Sequence, residues 1–286
     1  MDISTMEISK NILLHGADDR PFLVDLYTSH QSDADLIVFC HGFKGFKDWG
    51  CWEQMALWWN EQGYHFIKFN YSHNGTTPDK TMDFADLEAF GRNTFSKELF
   101  DLEQVLQWAT DQKASGQLHY RYLHLIGHSR SGPIVLIKGF EDAQVASVTT
   151  WAAVSRLDRF VDDKVIQEWN EKGVIYVFNS RTEQYMPLYR DIYDDFIQNR
   201  HRLDLTRLRP KRQLPIHIIH GDQDETVPVE DAFLLKQLFP WANVSVIPGM
   251  GHSFGCTHPP AEQLPHQAQQ LLRASLAWLQ DHFPKP

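Results

Sequence analysis

Short apolar runs rich in Val, Ile, Phe and Tyr alternate along the chain with longer stretches in which apolar side chains recur every three or four positions. The first pattern reads as strands and the second as helices that bury one face. Strands are predicted over residues 8–14, 22–28, 36–40, 65–71, 122–126, 145–151, 216–220 and 244–247, and helices over 52–61, 95–110, 130–139, 229–238 and 261–281. Gly63 after the first helix, Gly139 at the end of the third and Pro259-Pro260 before the last supply stop and start signals. Such alternation predicts an α/β fold with a mostly parallel eight-stranded sheet flanked by helices. The first two strands have turn residues and no helix between them, so they are expected as an antiparallel hairpin at the sheet's edge.

Between residues 155 and 214 the alternation lapses into a helical stretch at 162–170, two short strands around a polar turn at 174–186, and an amphipathic stretch at 188–200. This segment is expected to be a cap inserted after the sixth strand, dividing the core into residues 1–154 and 215–286. Its aromatic residues, Trp169, Tyr185, Tyr193 and Phe196 among them, either roof a site and touch substrate or pack the cap's own interior. Arg181, at the tip of the expected hairpin, either meets an anionic substrate or is an ordinary exposed arginine.

With 286 residues, 42% of them apolar, the chain can bury a full core, which excludes a disordered protein. A balance of 27 basic against 37 acidic residues leaves a formal charge of -10, which repels nucleic acid and anionic membrane surfaces; neither is expected as a partner. The basic run at 207–212 reads as a solvated connection before a strand. Apolar runs are far shorter than the about 20 residues a bilayer needs, and the first ten residues lack the cationic start and apolar stretch of an export signal. Cys40, Cys51 and Cys256, odd in number and without metal-like spacing, are read as free thiols in a reducing cytoplasm. The oligomeric state is left open.

Chemistry enters at residues 125–134, LIGHSRSGPI, where a strand gives way to a helix across a two-residue reversal that holds Ser129. A serine there is either a helix cap or a nucleophile lifted above the carboxyl edge of the sheet, with room made by Gly127 and Gly132. The second reading needs a base, because an unassisted hydroxyl is a poor nucleophile. His252, in the glycine-rich loop PGMGHSF after the last strand, is the candidate; Asp224 or Asp222, in the loop HGDQDETVP after the preceding strand, is the candidate acid. Each signal alone is weak, since histidines pack cores and aspartates form turns. Together they fall at the carboxyl ends of successive strands in the order Ser, Asp, His, that of the nucleophile-elbow hydrolases.

In these motifs, with His41-Gly42-Phe43 after the third strand and Val227-Pro228 after the acidic turn, the chain resembles serine hydrolases of the α/β-hydrolase superfamily over nearly its whole length. Within that superfamily it is similar to the cinnamoyl or feruloyl esterase and dienelactone hydrolase-like group. The resemblance implies Ser129 as nucleophile, His252 as base, Asp224 as its orienting acid, and an oxyanion hole from the backbone N–H groups of Phe43 and Arg130. His41, Tyr185 and Arg181 are candidate substrate contacts; no metal or cofactor is expected, since no histidine–carboxylate spacing matches a zinc motif. The implied activity is hydrolysis of a small-molecule carboxylic ester, aryl or hydroxycinnamoyl esters included. A peptidase or amidase on the same framework, or a ligand-binding protein that has lost turnover, are the competing readings.

Overall fold

The computed structural model describes residues 7–31, 33–210 and 212–285. Residues 1–6, on which part of the export-signal reading rests, and Lys211 of the basic run lie outside them. In chain order the elements are β1 (Glu7–His15), β2 (Pro21–Thr28), β3 (Leu36–Cys40), α1 (Trp52–Glu61), β4 (His65–Phe69), α2 (Leu87–Gly91), α3 (Phe95–Ala114), β5 (Leu123–His128), α4 (Ser131–Glu141) and β6 (Val145–Trp151). They continue as α5 (Asp163–Lys172), β7 (Val174–Asn179), β8 (Gln184–Tyr189), α6 (Asp191–Gln198), α7 (Arg200–Leu203), β9 (Ile216–Gly221), α8 (Glu230–Leu238), β10 (Asn243–Ile247) and α9 (His266–His282).

The eight strands expected for the main sheet form it, in the order β1-β2-β4-β3-β5-β6-β9-β10. β2 runs antiparallel to both β1 and β4, and the remaining pairs are parallel. The unbroken apolar runs of the central strands follow from burial on both faces. In β3, Leu36, Val38 and Cys40 join the core that also holds Leu99 of α3 and Ile134 of α4, whereas Ile37 and Phe39 join the opposite core with Trp52 of α1 and Leu271 of α9.

Several expectations need correction. The second predicted helix starts at residue 95 as expected, but α3 runs on past residue 110 through polar helix formers to Ala114, just before Gly116, whose φ of +76° a side chain would resist. Helix α9 starts at His266 rather than 261, because Pro265 disfavours helical backbone at Leu264. Short α2, capped by the Asp86 carboxylate accepting from the Ala89 N–H, has too few residues to show a period. Cys51 and Cys256 are joined in a disulfide, with Cα atoms 5.7 Å apart across 205 positions of sequence, and only Cys40 is free. The cysteines therefore give no support to a reducing compartment. Arg212 is not merely solvated: its guanidinium donates to the Asp142 and Val145 carbonyls, both at 2.8 Å, just past the end of α4.

Residues 155–214 contain α5, the two-stranded sheet β7–β8, α6 and α7, as the lapse in alternation suggested. Their aromatics divide. Trp169, Tyr193 and Phe196 pack inward, with Phe196 against Phe95 of α3 and the Trp169 indole N–H donating to the Leu188 carbonyl. Tyr176, Phe178 and Tyr185 are exposed on the hairpin. No helix among the described residues is long and apolar enough to cross a membrane.

Candidate active site

Ser129 sits between the end of β5 and the start of α4 with φ of +56°, a left-handed conformation unusual for a residue with a side chain. The turn is possible because its flanks lack side chains. A Cβ on Gly127 would stand 2.4 Å from the Ser131 carbonyl oxygen, and one on Gly132 2.3 Å from the Ala153 Cβ. The helix-cap role is not filled, since the Ser129 side chain accepts from no backbone N–H of α4 and Arg130 takes the cap position.

The Ser129 Oγ lies 3.1 Å from Nε2 of His252, and Nδ1 of His252 lies 2.7 Å from Oδ2 of Asp224. Asp224, rather than Asp222, therefore meets the imidazole. Asp222 accepts from the Gly249 N–H at 2.7 Å, stapling the loop that carries His252. Asp224 Oδ1 accepts from the Thr226 and Val227 N–H groups at 2.9 and 2.8 Å. Burial alone would raise the Asp224 pKa, but hydrogen bonds from His220 and His252, the positive charge available to His252 and the Val227 amide outweigh it, so the group is held well below the usual carboxylate range. A permanently ionised, fully buried carboxylate fixes the imidazole with Nδ1–H toward itself and leaves Nε2 free to accept from the serine.

Neither the Phe43 nor the Arg130 backbone N–H has an acceptor among the described residues. Their carrier loops are tied together. Ser131 donates its hydroxyl proton to the His41 carbonyl at 2.5 Å and accepts from Tyr71 at 3.0 Å. The Arg130 guanidinium lies over the Phe43 ring at 4.5 Å and pairs with buried Glu98 of α3, which also accepts from Asn93. Further back, Lys47 of the Phe43 loop and Lys68 of β4 pair with fully buried Asp25 of β2.

Sequence reasoning did not find Ser131, Glu98 or His128. The His128 Nε2–H donates to the His252 carbonyl at 3.1 Å, and burial, reinforced by His252, holds its pKa down at about 3, so the ring is neutral. Only its position beside Ser129 in the reversal set it apart in the sequence. His41 and Tyr185 are not where the substrate-contact expectation put them. His41 is buried with its ring edge against Tyr71 and its Nδ1–H donated to the Gly42 carbonyl, and Tyr185 projects to solvent beside Phe178. Neither lines a cavity at Ser129, whereas Arg181 does.

Two cavities meet at this serine, sharing Phe43, Lys44, Ser129, Thr226 and His252 as common walls. One, about 380 Å³, is walled mainly by apolar side chains that include Val154, Leu157, Phe160, Leu188 and Ile192; of the arginines that also line it, Arg130 pairs with Glu98, Arg156 with Asp158, and Arg159 donates to the Thr226 carbonyl. The other, about 460 Å³, is polar and includes Asn179, Ser180, Arg181, Ser253 and His258.

The sequence pattern of the Alpha/beta hydrolase family matches residues 37–264, from β3 through the loop beyond His252. The chain belongs to this family. As an alpha/beta hydrolase it is similar in fold to Est1E of Butyrivibrio proteoclasticus, solved with ferulic acid bound, at 16% identity and a TM-score of 0.71 over 96% of this chain and 100% of that one. The esterase domain of a Rhodothermus marinus protein matches at 16% identity and 0.63 over 96% and 99% of the two chains. A puromycin-hydrolysing peptidase of Mycobacterium tuberculosis matches at 15% and 0.63, over 99% of this alpha/beta hydrolase and 40% of the peptidase. No curated protein matches the sequence.

Proposed function

We propose that this hydrolase cleaves carboxylic esters of small molecules through an acyl-enzyme on Ser129, with residues 155–214 acting as the cap that shapes the substrate site. The observation that carries this reading is the continuous hydrogen-bonded line Ser129–His252–Asp224 at the junction of the two cavities. His252 takes the hydroxyl proton on Nε2 as Oγ bonds to the carbonyl carbon, and the carbonyl electron pair moves to oxygen. The N–H groups of Phe43 and Arg130, which have no protein acceptor among the described residues, receive that oxyanion, each such donor lowering the barrier by about 3–4 kcal/mol.

Collapse of the tetrahedral species breaks the bond to the alcohol oxygen, which leaves with the proton from His252. Water then gives a proton to the same nitrogen as its oxygen adds to the acyl carbon, and the second tetrahedral species breaks its bond to Oγ, which takes the proton back from His252 as the acid leaves. Asp224 stays ionised throughout and stabilises the imidazolium. The apolar cavity, within the usual size range of ligand pockets, suits an aromatic or medium-length aliphatic group. Est1E with its ferulic acid and an esterase domain stand among the proteins of similar fold, which is consistent with an ester substrate.

The experiment is hydrolysis of p-nitrophenyl butyrate by the native chain and by Ser129→Ala, with fluorophosphonate labelling of both. Turnover and a single label on Ser129 in the native protein, both lost in the variant, are expected. Equal rates in the two proteins refute the reading.

A further inference from the structure

The polar cavity holds an imbalance that ester hydrolysis alone does not explain. Two of its residues are cationic, Lys44 and Arg181, and none of its lining side chains is a carboxylate, although the protein as a whole carries a formal charge of -10. The Arg181 guanidinium makes no hydrogen bond and no ion pair among the described residues; only the residue's backbone N–H is engaged, donating to Asn179 Oδ1 at 3.2 Å. Instead the guanidinium of this exposed residue lies over the rings of Phe46 and Phe84, at 5.2 and 5.6 Å, contacts that use none of its five N–H donors. Lys44 donates only to the Phe178 carbonyl at 3.3 Å, a contact that neutralises no charge.

His258 completes the set. Its Nδ1 accepts from the Gly50 N–H at 3.0 Å, so in the neutral ring the remaining proton sits on Nε2 as a donor. Burial, aided by the positive charge of Arg181, holds the ring below the usual histidine range and keeps it neutral at pH 7. Burial also pulls both Lys44 and Arg181 below their ordinary values, with Asp83 working the other way on Arg181. An anion entering the cavity would meet the side chains of Arg181, Lys44 and His258, with no carboxylate among the lining residues; Asp83 and Asp48 act on Arg181 and His258 only from outside that lining.

We propose that the substrate is an amphiphilic ester, with an apolar group on one side of the scissile carbonyl and a carboxylate on the other, the carboxylate being bound in the polar cavity by Arg181, Lys44 and His258. This rests on the ester-hydrolase reading for the bond that is cut, but the anion site stands on its own geometry. The β7–β8 turn then has a role in recognition, since it delivers Arg181 over the site while the apolar cavity takes the other half of the molecule.

The test separates binding from turnover. Calorimetry on Ser129→Ala compares two matched pairs: 4-(butyryloxy)benzoate with its methyl ester, and monohexyl adipate with hexyl methyl adipate. The anion lies in the alcohol half of the first pair and the acyl half of the second. At least tenfold tighter binding of the acid than of its ester is expected in one pair, with the preference lost when Arg181→Gln is added and weakened by salt. Native protein should show the same preference as a lower KM for the acid, with kcat changed less. Equal affinity within both pairs, or a preference that survives Arg181→Gln, overturns the anion site. Failure of native protein to hydrolyse any of the four, with the binding preference intact, overturns the ester reading instead.

Discussion

Replacing Asp224 with Asn keeps the shape of the site and reverses one proton. Oδ1 of Asp224 accepts from two backbone N–H groups, so an asparagine must put its carbonyl oxygen there. The opposite rotamer would set an NH₂ against two donors, each left unsatisfied at about 1–3 kcal/mol. The amide NH₂ therefore faces His252 Nδ1, which must become an acceptor, and the imidazole proton moves to Nε2, opposite the Ser129 hydroxyl. A ring that presents N–H to the serine cannot take its proton. Loss of the correct tautomer costs roughly 10⁴-fold in kcat, about 5 kcal/mol of barrier. KM should change little, because Asp224 lines neither cavity. Steady-state hydrolysis of p-nitrophenyl butyrate at about pH 7.5, where an unperturbed histidine is mostly neutral, measures both, with circular dichroism to verify the fold. A folded variant that retains a tenth or more of native kcat, or whose loss lies in KM, refutes the reasoning. Asp222→Asn, which disturbs only the Gly249 contact, should lose far less.

Two predictions concern stability. Burial holds His41, His73 and His217 near pKa 4 and His128 near 3, against about 6.5 unfolded, so the unfolded chain binds more protons and stability is lost as pH falls from about 6.5 toward 4. Asp101, raised to about 6 chiefly by burial, works the other way over about pH 3.8–6 and cancels roughly one of the four protons. The net slope near pH 5.5 is therefore about three protons, or about 4 kcal/mol per pH unit; urea midpoints that stay flat from about pH 6.5 to 5 would contradict it. Asp25→Asn leaves Lys47 and Lys68, both buried, without their shared carboxylate, and should cost about 3–5 kcal/mol in denaturant unfolding. A loss below about 1 kcal/mol would mean that Asp48 and Glu53 already neutralise the pair.

The strands were legible because each must bury side chains on one or both sheet faces, and burial leaves a local, periodic mark such as Leu36 to Cys40. Ser129, Asp224 and His252 were legible because each sits in a loop directly after such a strand, where the chain must turn and glycines show it. The anion-binding residues were half legible: Arg181 stood out at a hairpin tip, but nothing local distinguished Lys44 or His258 from other surface cations and turn histidines. His41 misled because a histidine after a strand end looks like a site residue, whereas here its ring braces the Phe43 loop.

Local pattern thus established the α/β class and the eight sheet strands, marked where the regular alternation lapses, and singled out Ser129 and His252, which the fold brings together. Folding brought Asp224 rather than Asp222 to the imidazole, as the resemblance had implied, paired Cys51 with Cys256, set Glu98 beneath Arg130 and Ser131 against His41, and divided the space over Ser129 into an apolar and a polar cavity. The reason is range. Periodicity and turn chemistry act within a few residues and are written there, while a charge pair, a disulfide or a cavity wall joins positions tens to hundreds of residues apart, whose meeting depends on how every intervening element packs.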